Sequence, residues 1–282
     1  MKIILSRKGF DSGSGGCPSP ILPDGRLLPL PIPDNRSPLI YNDINWGDYN
    51  AGSVVESVTN GRIKAGDRAH LDPDLNPGSL PRHPDWRPLF GQTGAAQGHL
   101  RNQSVGPGDL FLFFGLFQAA AVANGRVQLI RQTPRRHIIW GWLQIEAGLP
   151  VDKIDRAAFP WAVYHPHFHR PPDKGNTIYR AKEWLALPDL PNRAVLGAGV
   201  FSSFRAALQL TAGDSPLRLW QLPAWMHPHG RVSTLSYHPS PAVWTRRDGY
   251  AWLQSAGRGQ EFVLDSAHYP EAIGWARDLF TG

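Results

Sequence analysis

The sequence predicts an α+β fold that is dominated by strands, with few short helices and long loops rich in proline and glycine. Three observations support this prediction. The 282 residues include 27 prolines and 29 glycines, which favour turns and short elements. Apolar runs of strand length recur between these residues. Only residues 269–280 show a clear pattern of apolar side chains at helical spacing.

The apolar runs predict strands along the chain. Ile3–Leu5 indicates a buried first strand, closed by a loop that starts at Ser6. Leu110–Phe117 predicts a strand through the interior, and residues 127–131 and 137–145 predict the two arms of a hairpin. Further short strands are expected at Ala194–Phe201, Leu217–Leu222 and Gln260–Leu264.

The chain is expected to form one domain over residues 1–282. Residues 66–108 are its most turn-rich part and are expected to be a long, loop-rich insertion. A long stretch of this kind inside a domain is usually functional or mobile. No separate core is apparent before it, so the segment does not predict a domain boundary.

Charge and cysteine content restrict the class of protein. The formal net charge of +6 and the pI of about 9.7 are compatible with a phosphate-rich partner such as a nucleotide or DNA. Cys17 is the only cysteine, which excludes a disulfide scaffold. The first apolar run is too short for a signal peptide, and no run reaches the roughly 18 apolar residues of a membrane span. We therefore expect a cytoplasmic protein with no membrane partner.

Tyr164-His165-Pro166-His167-Phe168-His169 is the sharpest local motif. On an extended chain, His165, His167 and His169 would lie on one face, and three imidazoles can bind a divalent transition metal. Residues two apart on a straight strand are about 7 Å apart, so the chain would have to bend, for instance at Pro166. The alternative is that His165 and His167 hydrogen-bond in a wall or around a substrate.

Two other segments carry groups suited to chemistry. Arg7 and Lys8 follow the first predicted strand, with Asp11 and Ser12 close behind in a glycine-rich loop. Such a loop can bind an anion through its cations, while the carboxylate serves as a base. It is not a P-loop, which ends in Gly-Lys-Ser/Thr. Glu261, four residues before Asp265 on a predicted strand, is a second candidate for acid–base work.

The order of several motifs resembles a known family, the third of the nucleotide modification associated domains. The motifs are Leu5–Ser12, Pro18–Gly25, Gly108–Phe113, Ile139–Leu143, His165–His167, Asn176–Tyr179, Gly197–Phe201, Leu222–Trp225, Ser236–His238 and Gln260–Asp265. The resemblance runs over nearly the whole chain. It implies a bacterial or phage protein that takes part in hypermodifying nucleotides or DNA bases, with nucleotide or DNA and other DNA-modification enzymes as partners.

The residue patterns and the family motifs together define the candidate site. The catalytic candidates are Asp11, His165, His167 and Glu261. The substrate-binding candidates are Arg7, Lys8, Ser12, Asn176, Tyr179, His238 and Trp140, the last as a platform for a base. The metal candidates are His165, His167 and His169, and the cofactor is otherwise unspecified.

Three functions are compatible with these residues. The first is an enzyme that transfers a group to a nucleotide or nucleobase, or hydrolyses one from it, and it predicts a deep pocket. The second is a non-catalytic module that recognises modified DNA or partners a modifying enzyme, and it predicts a shallow basic groove. The third is a metal-dependent nuclease or phosphoesterase, which would need the carboxylates and both His-Pro-His segments, His165–His167 and His227–His229, around one or two ions.

Overall fold

The computed structural model describes residues 1–257 and 261–281. Strands predominate over helices in this part of the chain, which confirms the predicted α+β class. The strands are β1 (Lys2–Arg7), β2 (Ser19–Ile21), β3 (Ile32–Pro33), β4 (Asn45–Trp46), β5 (Tyr49–Asn50), β6 (Ala69–His70), β7 (Leu89–Gln92), β8 (Leu110–Ala123), β9 (Arg126–Leu129), β10 (Arg136–Pro150), β11 (Thr177–Ala181), β12 (Ala198–Val200), β13 (Leu219–Pro223), β14 (Trp244–Arg247), β15 (Tyr250–Gln254) and β16 (Glu261–Asp265).

The helices are short. The α-helices are α1 (Ala51–Val58), α2 (Gly94–Asn102) and α3 (Glu271–Thr281), and α3 confirms the helix predicted over residues 269–280. Single 3₁₀ turns occupy Tyr41–Asp43, Pro77–Ser79, Val151–Lys153, Arg156–Ala158, Pro160–Ala162, Pro166–His169, Ala206–Leu208, Ala224–Met226 and Pro241–Val243. No helix in the described ranges is long and apolar enough to cross a membrane.

A large mixed sheet is the centre of the fold. Its strands follow the order β16-β1-β8-β10-β11-β7, and β2, β9 and β12 pair at its margins. β1 is parallel to β8 and antiparallel to β16, so residues of the two chain ends lie side by side, with Ser6 opposite Glu261. The predicted strands at Ile3–Leu5 and Leu110–Phe117 are therefore central. Of the predicted strand at Gln260–Leu264, Gln260 lies outside the described residues.

The predicted hairpin between residues 127–131 and 137–145 is wrong in its pairing. β9 instead turns back on the end of β8, with Ala123 opposite Arg126, and β10 pairs with the earlier part of β8. The turn consists of Asn124 and Gly125, whose φ angles are 51° and 73°. Asn-Gly with both φ angles positive is the preferred sequence of a two-residue hairpin turn. The long β8 thus serves two partners.

The insertion predicted over residues 66–108 contains more secondary structure than expected, namely β6, β7, α2 and a 3₁₀ turn. β7 completes one edge of the large sheet by pairing with β11. Against this edge packs an apolar cluster in which Trp161 and Phe168 meet Leu89 and Ile178. The cluster holds the His165–His167 segment beside β7 and so positions the candidate site.

Candidate functional site

An open cavity of about 660 Å³ lies where the end of β1, β6, β7 and the start of α2 come together. Its wall includes Lys8 after β1, Asp72 after β6, Gly91 on β7 and His167 from the 3₁₀ turn. Its volume falls within the roughly 300–1,000 Å³ typical of small-molecule sites. Four segments that are distant in sequence therefore supply one concave site.

The carboxylate of Asp72 forms the buried centre of this site, with three imidazoles around it. His165 Nε2 lies 3.3 Å from Asp72 Oδ1, His167 Nε2 3.4 Å from Oδ2, and His70 Nε2 3.6 Å from the same Oδ2. The backbone N–H of Gly91 donates to Oδ1 at 2.8 Å. The carboxylate is thus held in place from the strand β7 and from both histidine-bearing segments.

Outer hydrogen bonds orient two of the rings. His70 Nδ1 lies 2.7 Å from Asp34 Oδ2, and His167 Nδ1 lies 2.6 Å from Asn176 Oδ1. The Asn176 amide nitrogen donates to the carbonyl of His167 at 2.9 Å, which fixes the direction of the amide. Each ring therefore has one nitrogen engaged by a fixed partner and the other turned toward Asp72.

The electrostatics of the group follow from burial and these contacts. Burial would raise the pKa of Asp72, but the imidazoles of His165, His167 and His70 hold it well below its usual range. Burial lowers the pKa of His167 more than Asp72 raises it. For His70, burial also lowers the pKa, but Asp34 and Asp72 outweigh it and the pKa is raised. The hydrogen bond from His70 is the main reason that the pKa of Asp34 is lowered to about 2.

A second polar group adjoins the first. Glu261 on β16 is buried, and its Oε1 accepts from Lys8 Nζ at 2.9 Å and from Gln92 Nε2 at 2.5 Å. The Lys8 ammonium also lies 4.8 Å from the centre of the Phe90 ring. Gln92 directly follows Gly91, so β7 connects the two groups. Glu261, predicted as a catalytic carboxylate, is paired here with the predicted anion-binding Lys8.

The loop after β1 also reaches the cavity. Arg7 and Asp11 line it, while Ser12 is exposed and lines an adjoining smaller cavity of about 170 Å³. Asp11 Oδ1 accepts from the backbone N–H groups of Gly13 and Ser14, which holds the loop closed. The guanidinium of Arg7 donates to the carbonyls of Ala256 and Gly257. Both predicted charged groups therefore have structural partners as well as a place in the wall.

His169 does not join the other histidines. The segment is a 3₁₀ turn instead of an extended chain, because Pro166 suits the first position of a helical turn and His165 caps it through Nδ1. His169 is exposed, and its Nε2 lies 2.8 Å from the carbonyl of Val163. The expectation that His165, His167 and His169 share one face is therefore wrong.

Three predicted substrate-binding residues are core or structural residues. Tyr179 is buried with its hydroxyl bonded to Gln97 at 3.0 Å, and burial raises its pKa to about 12. Trp140 is buried against Phe113. His238 is buried with Nδ1 2.9 Å from the Ser236 carbonyl, and its Nε2 accepts from the N–H of Ala256. Neither ring nitrogen of His238 is free for a ligand, and the contacts of Tyr179 and Trp140 are those of core side chains.

The other pairings considered from sequence are not formed. His227 and His229 contact each other and His227 packs near Trp244, and neither lines the cavity. Asp265 lies at the opposite end of β16 from Glu261, where its side chain accepts from the N–H of Ala267. The convergence required by a nuclease with two His-Pro-His segments is therefore absent from the described residues.

Sequence reasoning missed His70, Asp72, Arg170 and Tyr237, all of which line the cavity. His70 and Asp72 lie in the segment predicted as loop, and the only local signal was a histidine and an aspartate two apart in a long turn-rich stretch. Tyr237 is 46% exposed and has a φ of 69°, which is uncommon for a residue with a side chain. It offers an accessible aromatic ring in the cavity wall.

The fold and the site define a strand-dominated α+β protein with a cavity in which histidines surround a buried carboxylate. The chain belongs to the nucleotide modification associated domain 3 family, whose profile matches residues 2–265. This match confirms the resemblance inferred from the order of the motifs. No curated protein and no solved structure matches the chain.

Proposed function

We propose that this protein is an enzyme that modifies a nucleotide, or a nucleotide within DNA, in the cavity of about 660 Å³. The reaction class is transfer of a group to the nucleobase or nucleotide, or hydrolysis of one from it. The observation that carries the proposal is the presence of cationic, aromatic and acid–base groups on one cavity wall. Membership of a nucleotide modification associated family supports the choice of substrate.

The phosphate end of the substrate is assigned to Arg170 and Lys8. Both line the cavity, and the first turn of α2 contributes Ala95 and Ala96 beside them. Backbone N–H groups at a helix N-terminus favour an anion, as do neighbouring cations. Within residues 1–257 and 261–281 no hydrogen bond and no ion pair within 4.0 Å engages the Arg170 side chain, while the carboxylates of Asp34 and Asp173 interact with it at longer range.

The base is assigned to Tyr237. Nucleobases stack on exposed aromatic rings, and Tyr237 is the exposed aromatic of this wall. Its ring is supported from behind by His99, at 4.3 Å between ring centres, and by Phe262 at 6.1 Å. This role replaces the one predicted for Trp140, which is buried in the core.

The acid–base work is assigned to the imidazoles around Asp72. His70 and His167 reach the cavity, whereas His165 is fully buried behind them. Histidine is the side chain best suited to proton transfer near neutral pH. Glu261 is held by Lys8 and Gln92, so its role in this scheme is to fix the ammonium and not to act as a base.

The proposal is tested by measuring binding and conversion of nucleotides together. The full-length protein is titrated calorimetrically with a panel of nucleoside mono- and triphosphates and with single- and double-stranded oligonucleotides. Mass spectrometry then detects any change in the nucleotide. Arg170→Ala is compared with Arg126→Ala, which removes an exposed arginine on β9 that does not line the cavity.

Loss of a charge-assisted phosphate contact is worth about 1.5–3 kcal/mol, so Arg170→Ala is expected to weaken binding about 10- to 150-fold. Arg126→Ala is expected to leave it within about twofold. Binding that is equal in the two variants, or absent for the whole panel, would overturn the proposal. Binding that depends on Arg170 but yields no product would favour the alternative of a non-catalytic binding module.

A further inference from the structure

The Asp72 group has distances that are unusual for hydrogen bonds. The three imidazole nitrogens lie 3.3, 3.4 and 3.6 Å from the carboxylate oxygens. Charge-assisted hydrogen bonds between nitrogen and a carboxylate oxygen are shorter, about 2.7–2.9 Å. His165 Nε2 is buried and has no hydrogen-bond partner among the described residues. The three imidazole nitrogens thus converge on Asp72 in the protein interior at distances longer than those of charge-assisted hydrogen bonds.

The outer hydrogen bonds explain why His70 and His167 do not bond to Asp72. Asp34 Oδ2 can only accept when ionised, so His70 Nδ1 is the protonated nitrogen. The Asn176 amide likewise presents its oxygen to His167, so Nδ1 of His167 is also protonated. In the neutral rings the two Nε2 atoms therefore carry lone pairs. Both lone pairs are directed at Asp72 Oδ2, which has lone pairs of its own.

When both rings are neutral, three lone pairs face one point, and a positive charge between them removes their mutual repulsion. A partner that orients the second nitrogen of each histidine is the usual outer arrangement of a metal-binding imidazole, and Asp34 and Asn176 provide it here. The backbone N–H of Gly91 and the ring of His165 both face Oδ1 of Asp72. The other carboxylate oxygen, Oδ2, is therefore available to bind an ion. The ligand atoms of His70, Asp72 and His167 all lie within 4.8 Å of one another.

We propose that His70 Nε2, Asp72 Oδ2 and His167 Nε2 bind one divalent transition-metal ion such as Zn²⁺ or Fe²⁺. Ion–ligand distances of about 2.0–2.2 Å place neighbouring ligand atoms about 3.0–3.6 Å apart, in agreement with the two nitrogen–oxygen separations of 3.4 and 3.6 Å, and the two nitrogens lie within 4.8 Å of each other. Two imidazoles and one carboxylate favour such ions over Mg²⁺ or Ca²⁺, which prefer oxygen ligands. All three residues line the cavity, so the remaining positions of the ion face it.

The inference differs from the metal site expected from sequence, because His70 and Asp72 replace His165 and His169 as ligands. As a binding site it stands alone, but its part in catalysis rests on the function proposed above. With the ion bound, His70 and His167 are ligands, and the acid–base work assigned to them above passes to a water on the ion, because an ion of this type lowers the pKa of a bound water. His165 then serves to orient Asp72, since its Nδ1 accepts from the N–H of His167 and its Nε2 is turned to Oδ1.

The test uses the full-length protein without a histidine tag. After treatment with chelator, it is dialysed against Zn²⁺ and against Co²⁺ at defined free concentrations. Bound ion is measured by elemental mass spectrometry, and Co²⁺ coordination by its visible absorption. The ligand variants are His70→Ala and His167→Ala. The matched control is His169→Ala, two residues after His167, because His169 is exposed and its ring bonds only to the carbonyl of Val163 within the described residues.

We expect about one ion per chain in the native protein and in His169→Ala, and at least 100-fold weaker binding in both ligand variants. Asp34→Asn keeps an oxygen that can accept from His70 but removes the negative charge of residue 34. This variant is expected to weaken metal binding about 10- to 100-fold. This variant tests the site if a ligand variant fails to fold, as judged by circular dichroism. Substoichiometric binding at micromolar free Zn²⁺ and Co²⁺, or native affinity in the variants, would overturn the inference. Stoichiometric metal in a protein that does not bind nucleotides would instead refute the function alone.

Discussion

The ring of His167 occupies the space that a side chain on Gly91 would need. A Cβ atom added at Gly91 would lie 2.6 Å from His167 Nε2 and closer still to other ring atoms. The backbone N–H of the same glycine donates to Asp72. β7 can approach the histidine and the carboxylate together only because residue 91 has no side chain.

Gly91→Ala is therefore expected to displace His167 and to destabilise the protein. Overpacking of this kind costs about 1–3 kcal/mol in free energy of unfolding, measured by urea denaturation. Gly98→Ala is the control, since Gly98 lies within α2 and an added Cβ would meet no atom of the described residues within 4 Å apart from its chain neighbours and the backbone of its own helix. Alanine is favoured over glycine in a helix by about 0.5–1 kcal/mol, so this change is expected to stabilise. Equal effects of the two changes would contradict the role of Gly91.

The buried ion pair between Lys8 and Glu261 predicts a strong coupling between the two residues. The side chain of Glu261 is fully buried and that of Lys8 is 11% exposed. Lys8→Met leaves a buried carboxylate without its cation and is expected to cost about 3–5 kcal/mol. Combining it with Glu261→Gln removes the unpaired charge and is expected to restore part of the loss.

Urea denaturation of the two single variants and the double variant gives this coupling energy. The exposed pair of Arg277 and Asp189 is the comparison, because such pairs contribute about 0–1 kcal/mol. Additive costs for Lys8 and Glu261 would show that the two side chains do not depend on each other.

The strands could be predicted where apolar runs are bounded by turn residues, as in β1, in β8 and in β16, which precedes α3. The pairing of the strands was harder to predict from the sequence. β9 pairs with β8 across the Asn124-Gly125 turn, and β10 pairs with an earlier part of β8, although residues 130–133 also form a turn between β9 and β10. The pairing of β1 with β16 joins residues more than 250 positions apart, for which local pattern provides no information.

Of the site, the sequence predicted His165, His167, Asn176, Glu261 and the first loop, but not His70 or Asp72. His165 and His167 stand out because they repeat within three residues. Asp72, which brings them together, lies in a segment that local pattern described as loop, and Pro166 produces a turn where alternation suggested a strand. Tyr237 and His238 are adjacent in sequence but differ in environment, since His238 hydrogen-bonds to the backbone and Tyr237 faces the cavity. Such differences arise from tertiary contacts and not from residue type.

Tyr237 is expected to contribute to nucleotide affinity through stacking. Tyr237→Ala should weaken binding by about 1–3 kcal/mol, while Tyr237→Phe keeps the ring and should retain most of the affinity. Tyr250→Ala is a close control, because Tyr250 is 45% exposed against 46% for Tyr237 and lies on β15, outside the cavity. Calorimetric titration of the three variants with nucleotide measures these affinities. A Tyr237→Ala protein with native affinity would remove Tyr237 from the site.

The core histidine His137 predicts a dependence of stability on pH. It is buried, and its Nδ1 accepts from the indole N–H of Trp220 at 3.0 Å. Burial lowers its pKa to about 3, against 6.5 in the unfolded chain. Between these values the unfolded state binds the proton and the folded state does not. The free energy of unfolding therefore falls as pH falls, by about 1.4 kcal/mol per pH unit from this one group.

His137→Gln tests this expectation, because glutamine offers Trp220 an acceptor and does not titrate. Urea denaturation at several pH values should give a slope between pH 6 and pH 4 that is shallower in the variant by about 1.4 kcal/mol per pH unit. Any loss of packing in the variant appears as a constant offset, which is measured at pH 8, where the histidine is neutral in both states. Parallel curves for the two proteins would show that His137 takes up a proton in the folded state as readily as in the unfolded one.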